Sequence, residues 1–418
     1  MKNRFFITQI TTLILLFSFS ACTSTPKVTP EQLYWDIENV KIELSNPALE
    51  DVYNPVPLEE LQKDILDGKV NRNECVNRLE EILNSYNIVH LCIQRNFSTD
   101  GFDEFLPILL KCFGNEYYVI GAISPYAKYN GWKVLAINDV PCMEAVQEIG
   151  KLMNYETYAG RKYSLQIHQN KNALSRPGYV NKNQNVRFTF ESADGITETC
   201  YIPFITEVQT PVFYDIPKED PLMNNTNKCY STKYDEKTNT LYLHFNKFES
   251  DEDIIWGTFF NDFFEDIKSH DYKTIVIDLS QNVGGELYMA YGISSMFYAN
   301  KEKINRSNLA IIISGQTYSA ATFLLNDLIR TFPNAVLFGE ETGQAVVNYT
   351  LIRPHHLKNL DVDFSCPYLV QQSEELMKRS SDYTKGTMPD VEVYRTYEDA
   401  KNGINTIYVE IEKYFSTK

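Results

Sequence analysis

Apolar positions along this 418-residue chain follow two rhythms. Between Glu31 and Leu83 they recur at three- and four-residue steps, as in Leu58, Leu61 and Ile65, then Val76, Leu79, Ile82 and Leu83. That spacing lines one face of a helix. The polar run Asn84-Ser85-Tyr86-Asn87 should end the last of these helices. Ile88 to Ile93 then reads as a short strand carrying His90. From Phe105 to about Phe204 the pattern is strand-rich. Thr206 to Thr232 is polar with several Pro and Asn, as expected of a linker or exposed loop. From Leu241 onward, short apolar runs alternate with amphipathic stretches. Strands are expected near 241–248, 274–279, 309–314 and 335–338, and helices near 253–269, 290–299, 320–330 and 397–415. Such alternation predicts an α/β layer with a mostly parallel sheet.

The first residues follow neither rhythm. Lys2 and Arg4 precede an apolar run from Phe5 through Phe19, too short for a comfortable membrane span. Phe19-Ser20-Ala21-Cys22 resembles a bacterial lipoprotein signal, with cleavage before Cys22 and lipidation of that cysteine. Thr23 to Pro30 has the composition of a tether. The expectation is a lipid-anchored protein of the bacterial cell envelope, on the periplasmic or outer-membrane side. Removing Lys2 and Arg4 from the 39 basic residues leaves 37 against 55 acidic ones, a net charge of −18. Such a chain repels nucleic acid and anionic lipid. Seven further cysteines (Cys75, Cys92, Cys112, Cys142, Cys200, Cys229 and Cys366) form no CxxC pair and no Cys/His cluster with zinc spacing. Buried small apolar residues are the plain reading, with one or two disulfides open to an exported protein. His355 and His356 would diverge on a strand and make a poor metal pair.

The chemistry concentrates in the last third. Ile275 to Leu287 (IVIDLSQNVGGEL), Ile311 to Phe323 (IIISGQTYSAATF) and Val336 to Gln344 (VLFGEETGQ) each read as a buried strand running into a small-residue turn. Gly284 and Gly285 could expose backbone N–H groups to a developing negative charge. Ser319 stands where a strand turns into a helix, and the N–H of Ala320 would be a second oxyanion donor. Singly, each is weak. A glycine pair can be a bare turn, and a serine before a helix can be an unreactive cap.

Together, in this order and spacing, the segments resemble the tail-specific (C-terminal-processing) protease family of serine peptidases, which includes the tricorn core peptidases. Asp278 to Gly285 looks like that family's DLRxNxGG element, Thr317-Tyr318-Ser319-Ala320 like its nucleophile element, and Gly339 to Gln344 like GExTxG, with Gln344 in place of the closing glycine. Gly386-Thr387-Met388-Pro389-Asp390 looks like GxxPD. Gly131 to Met153 reads strand, turn at Asn138-Asp139, helix. It looks like the ligand-groove half of a PDZ-like module, in which an extended peptide adds a strand, though plain scaffold has the same pattern. The resemblance implies a ClpP/crotonase-like α/β core, and serine endopeptidase activity on exported proteins with no metal or cofactor. It divides the chain into a signal (1–21), a tether (22–30), a helical segment (31–95), a PDZ-like strand-rich domain and linker (96–230) and a peptidase core (231–418).

One branch of the family uses a Ser-Lys dyad, but the lysine position is Ala345 here. The tricorn-like branch uses an upstream histidine and a late carboxylate. His90 has the right place in the chain for that histidine, although it shares nothing else with the DGHT-like segment. Asp382, beside Tyr383 at the corresponding position, is the expected orienting carboxylate, with Glu374 and Glu375 behind it. Ser280 stands where the family has arginine and Thr322 where glutamate is frequent. Three functions follow: a peptidase, a pseudo-protease that only binds peptide, and a crotonase-like acyl-CoA enzyme. The export signal argues against the last.

Overall fold

The computed structural model describes residues 28–94, 104–152, 154–206, 212–213, 228–380 and 382–417. The signal, Cys22 and most of the polar stretch 206–232 lie outside the described residues. No helix among the described residues is long and apolar enough to cross a membrane.

The helical rhythm of the first segment becomes three helices: Pro30–Leu44, Val56–Leu66 and Arg72–Asn84. The first starts at a capping box, with the Thr29 side chain on the Gln32 N–H and Pro30 at the first turn. The third is capped by Asn71, which accepts from the Glu74 N–H at 3.1 Å. Their buried stripes, among them Ile37, Leu61 and Leu79, share one core cluster with Leu357, Leu360, Val362 and Phe364. Those last residues sit on a long hairpin, Val347–Leu357 against Val362–Gln372. This hairpin was not foreseen, because apolar residues such as Ile352 and Leu369 are exposed on it while Asn348, Thr350 and Ser365 are buried, so no clean alternation marks its strands. His355 and His356 do diverge on it, toward Glu43 and Asp363 respectively.

The short strand after the helices differs from expectation. Ladder pairing is confined to Cys92–Gln94, antiparallel to residues 363–365 of the hairpin. His90 lies in the turn before it. The reason is a competition for backbone groups. The Asn154 amide donates to the carbonyls of Ile88 and Leu91, and Glu156 accepts from the Val89 N–H. Side chains thereby occupy the groups a strand would have paired.

The middle segment is an antiparallel sheet running Ile108–Phe113, Glu116–Ala122, Lys133–Ile137, Asn185–Glu191, Thr197–Pro203. Asn138 and Asp139 both have positive φ (48° and 66°), which turns the chain tightly before helix Cys142–Leu152.

The last segment is a six-stranded sheet in the order Val391–Glu392, Val336–Gly339, Asn308–Ile313, Thr274–Asp278, Thr240–Phe245, Tyr230–Asp235. All neighbours are parallel except the last pair. Every residue of Thr240–Phe245 and Thr274–Asp278 is buried, as a sheet covered on both faces requires. Alternate side chains point opposite ways. Leu243, Ile277 and Ile311 meet helices Trp256–Ser269, Leu287–Ala299 and Ala320–Thr331. Tyr242, Val276 and Ile312 meet the C-terminal helix Thr406–Ser416. The expected single helix at 397–415 is two, Tyr397–Lys401 and Thr406–Ser416, because Gly403 takes φ +73° between them. The seven described cysteines are all free thiols.

Candidate active site

The loops that leave the C-terminal ends of Thr274–Asp278 and Asn308–Ile313 form one side of the site. They are stitched together by Thr317 Oγ1 donating to the Leu279 carbonyl (2.9 Å) and by the Tyr318 N–H donating to the Asn282 carbonyl (2.9 Å). This brings Gly284 against Ser319. A Cβ on Gly284 would lie 2.6 Å from the Ser319 Cβ, so only glycine fits. Ser319 itself has φ 52° and ψ −122°, a conformation that costs a non-glycine residue free energy and persists only when its surroundings impose it. The strain sets the serine at the mouth of helix Ala320–Thr331. No hydrogen bond engages its Oγ among the described residues. The Gly284 N–H donates to Asn282 Oδ1 at 2.9 Å. The N–H groups of Gly285 and Ala320 have no acceptor among the described residues, so these two are the donors open to an oxyanion.

The other side of the site comes from far upstream. His90 and Ser319 line one cavity of about 180 Å³. His90 Nδ1 lies 2.6 Å from the Tyr349 carbonyl oxygen. A carbonyl can only accept, so Nδ1 carries the proton and Nε2 keeps the lone pair a general base needs. Burial holds the imidazole below its ordinary pKa, against the opposing pull of the Tyr349 bond. It is therefore neutral at pH 7. No hydrogen bond joins His90 to Ser319.

Residues 239–308 match the model for Peptidase family S41. Over that stretch the chain is similar to the S41 peptidases. The matched residues include Gly284 and Gly285, and Ser319 lies beyond them. No curated protein matches. Among solved structures, mature CPAF complexed with lactacystin is similar over 92% of this chain and 97% of its own, at 11% identity and a TM-score of 0.65. Mature CPAF without it gives 0.61 at 11% identity, over 92% and 96%. A putative peptidase from Parabacteroides merdae ATCC 43184 gives 0.47 at 13%, over 93% and 96%. At such identities the first two show a shared fold, and the third carries no further weight.

Departures from the S41 motifs lean on one another. Gln344 Oε1 accepts from the Ser319 N–H at 2.6 Å and from Thr322 Oγ1 at 3.2 Å. Thr322 also reaches the Ser319 carbonyl at 2.8 Å. The two unusual residues thus brace the nucleophile's backbone together. Glu340 of the GExTxG element pairs with Lys162 and Tyr163, both from the middle segment. Lys162 is only 1% exposed, so this pairing is what makes burial of its charge tolerable.

The expected carboxylate is corrected by the structure. Asp382 is exposed, and its Oδ1 accepts from the Thr384 N–H (2.9 Å) and Thr384 Oγ1 (3.0 Å) in a local turn. Glu375 pairs with Lys378 on the surface, and Glu374 beside it is exposed. The group that meets His90 is the backbone carbonyl of Tyr349, invisible to a search for acidic side chains. A carboxylate does support the loop, however. Glu156 accepts from the Val89 N–H through Oε1 (3.0 Å) and from the Ala345 N–H through Oε2 (2.9 Å). It ties the His90 turn to the loop that holds Gln344. Burial pushes its pKa up to about 7, against the two backbone bonds and Arg161. The run Glu156 to Tyr163 packs charge, threonine and glycine together after a helix, and that density was the available signal. Gly160 marks its close approach, since a Cβ there would strike Tyr318 Oη at 2.0 Å.

Proposed function

We propose that this chain is a serine endopeptidase of extracytoplasmic proteins, anchored by lipid at Cys22. One observation carries the peptidase reading: a strained serine beside two open backbone donors shares a cavity with a neutral histidine of defined tautomer. In this mechanism Ser319 Oγ attacks the substrate carbonyl carbon while His90 Nε2 takes its proton. The oxyanion forms against the N–H groups of Gly285 and Ala320. As the C–N bond breaks, His90 returns the proton to the leaving amine. Water then enters and gives a proton to His90 as its oxygen bonds to the acyl carbon; the acyl–Oγ bond breaks as His90 returns that proton to Ser319 Oγ, and the carboxylic acid leaves.

The orienting role falls to the Tyr349 carbonyl. A neutral acceptor stabilises the imidazolium less than a carboxylate would, so turnover should be slower than in a full triad. Labelling of the mature protein by a fluorophosphonate tests the reading. Labelling that is lost in Ser319→Ala and His90→Ala, with both variants folded, is the expected result. Labelling that survives Ser319→Ala would overturn it.

The absence of a hydrogen bond between His90 and Ser319 favours a second reading, a pseudo-protease that binds peptide without cleaving it. Catalytic contacts often tighten only with substrate bound. Peptide hydrolysis dependent on both residues excludes the binding module, and peptide binding without turnover establishes it. The anchor has its own test: metabolic labelling by a fatty acid is expected in the wild type and absent in Cys22→Ala.

A further inference from the structure

We infer that the cavity beside Ser319 is an apolar pocket that selects substrates carrying a bulky aliphatic or aromatic residue on the acyl side of the cleaved bond. The inference rests on the serine-peptidase reading and adds a substrate class to it. Val89, Tyr155, Ile167, Val283 and Tyr318 form the apolar walls around Ser319 and His90. No lysine, arginine, aspartate or glutamate lines it. Glu156 and Arg161 face a separate cavity on the other side of the His90 turn. Gln316 and His90 are the polar side chains of the lining besides Ser319 and the tyrosine hydroxyls, so a charged substrate side chain would lose its hydration and gain no oppositely charged partner.

Size points the same way. The cavity measures about 180 Å³, and an engineered apolar cavity of about 150 Å³ suffices to hold benzene. A leucine or phenylalanine side chain fits, whereas alanine would leave most of the space empty. Val283 and Ile167 are 46% and 45% exposed, so apolar surface lies open at the mouth. Covering it removes that surface from water, which favours binding roughly in proportion to area.

The acyl side follows from connectivity. Val283 directly precedes Gly284 and Gly285, and Gly315 to Ser319 form the nucleophile's own turn. A residue whose carbonyl sits at the Gly285 and Ala320 donors drops its side chain between these two walls.

The remaining walls come from outside the S41 motifs. The Tyr155 ring packs edge-on against Tyr318 at 6.1 Å, and its hydroxyl is 3.0 Å from His168 Nε2, which holds the ring in place. Tyr155 and Ile167 belong to the middle segment. Part of the pocket's wall is thereby supplied by residues outside the two loops that carry the nucleophile and the oxyanion donors.

The experiment uses N-acetyl amino-acid 4-nitrophenyl esters of Ala, Leu, Phe, Asp and Lys on the mature protein, with fluorophosphonate labelling alongside. Leu and Phe esters are expected to exceed Ala by about tenfold in kcat/KM, and Asp and Lys by about a hundredfold. Ile167→Asp, a half-exposed position that leaves the core intact, is expected to cut the Leu:Lys ratio by about tenfold. Labelling at Ser319 with equal rates for all five esters, or with a preference for a charged one, overturns the pocket and leaves the peptidase reading standing. An unchanged ratio in Ile167→Asp also overturns it. Absence of both labelling and Ser319-dependent turnover removes the peptidase reading and the pocket with it.

Discussion

The two halves of the site are built by different means. The nucleophile half is backbone. Gly284, Gly285, Ser319 and Ala320 lie on two loops leaving adjacent parallel strands, and bonds from Thr317 Oγ1 to the Leu279 carbonyl and from the Tyr318 N–H to the Asn282 carbonyl fix their spacing. The base half is assembled from side chains and carbonyls of three distant segments: the His90 turn, the hairpin residue Tyr349 and the middle-segment residue Glu156. The first half needs only the sheet. The second needs the N-terminal helices, the hairpin and the middle sheet all docked at once. A site made this way has a nucleophile fixed by two neighbouring loops of one sheet and a base that depends on packing between segments, so the base is where activity can be lost without loss of the fold.

The strongest test of this division removes each half in turn. Ser319→Ala is expected to lower kcat by about 10⁴–10⁶ and His90→Ala by about 10³–10⁵, with the double variant no worse than Ser319→Ala alone. Purely additive losses in that cycle would break the pairing of the two halves. Gly284→Ala should come next. The added Cβ meets Ser319 at 2.6 Å, and φ +96° is strained for any L side chain. A fall of about 10²–10³ in kcat, with thermal unfolding lowered by a few degrees, is expected. A fully active Gly284→Ala would mean that the close approach is not needed.

The same division explains what was legible in the sequence. The sheet and its loops were readable because buried parallel strands leave continuous apolar runs, as in Ile275 to Leu279 and Ile311 to Ile313, and because only glycine tolerates contacts such as that of Gly284. Ser319 and Ala320 could be placed for the same local reason. His90 was chosen by its position alone, and the structure places it on the cavity that Ser319 lines. Its partner was missed because a backbone carbonyl has no residue type, and Tyr349 could not be singled out before the hairpin was seen. Asp382 was chosen as a carboxylate at the right distance along the chain, but its own Thr384 is nearer in space. The strand expected over His90 failed because the bonds from Asn154 and Glu156 are long-range and leave no periodic trace.

Glu156 offers a finer test of the base half. Its pKa of about 7 exceeds the unfolded value of 4.5. A raised carboxyl pKa means the folded state holds the proton longer, so this group's contribution to stability falls as pH rises from 4.5 to 7. The full change is about 3 kcal/mol at 1.36 kcal/mol per unit. Glu156→Gln should flatten that part of the stability curve, read as unfolding midpoints between pH 4 and 8. It also replaces one acceptor by an NH₂ group, so either the Val89 or the Ala345 N–H loses its partner. An activity loss of about tenfold is expected at pH 8, where the wild-type carboxylate accepts both bonds, and a smaller loss at pH 6. In the wild type burial lowers the pKa of His90, so a rise in activity near 7 should belong to Glu156 and vanish in the variant. Identical pH profiles for the two proteins would remove Glu156 from the support of the base.

The smallest expected effect distinguishes the two carboxylates. The Thr384 bonds hold the Asp382 carboxyl below its ordinary pKa, and they do so at an exposed turn. Asn at this position keeps a side-chain oxygen that accepts from Thr384, so Asp382→Asn should preserve the turn while removing the charge. If the Tyr349 carbonyl orients His90, fluorophosphonate labelling rates of wild type and Asp382→Asn should agree within about twofold across pH 6 to 8. A tenfold loss confined to the ascending limb of the profile would show that Asp382 swings to His90 during reaction, and would restore the carboxylate to the role the sequence first suggested. Tyr383 and Thr384 line the cavity that Glu156 and Tyr349 share. The charge is what the experiment isolates, because the turn survives either way.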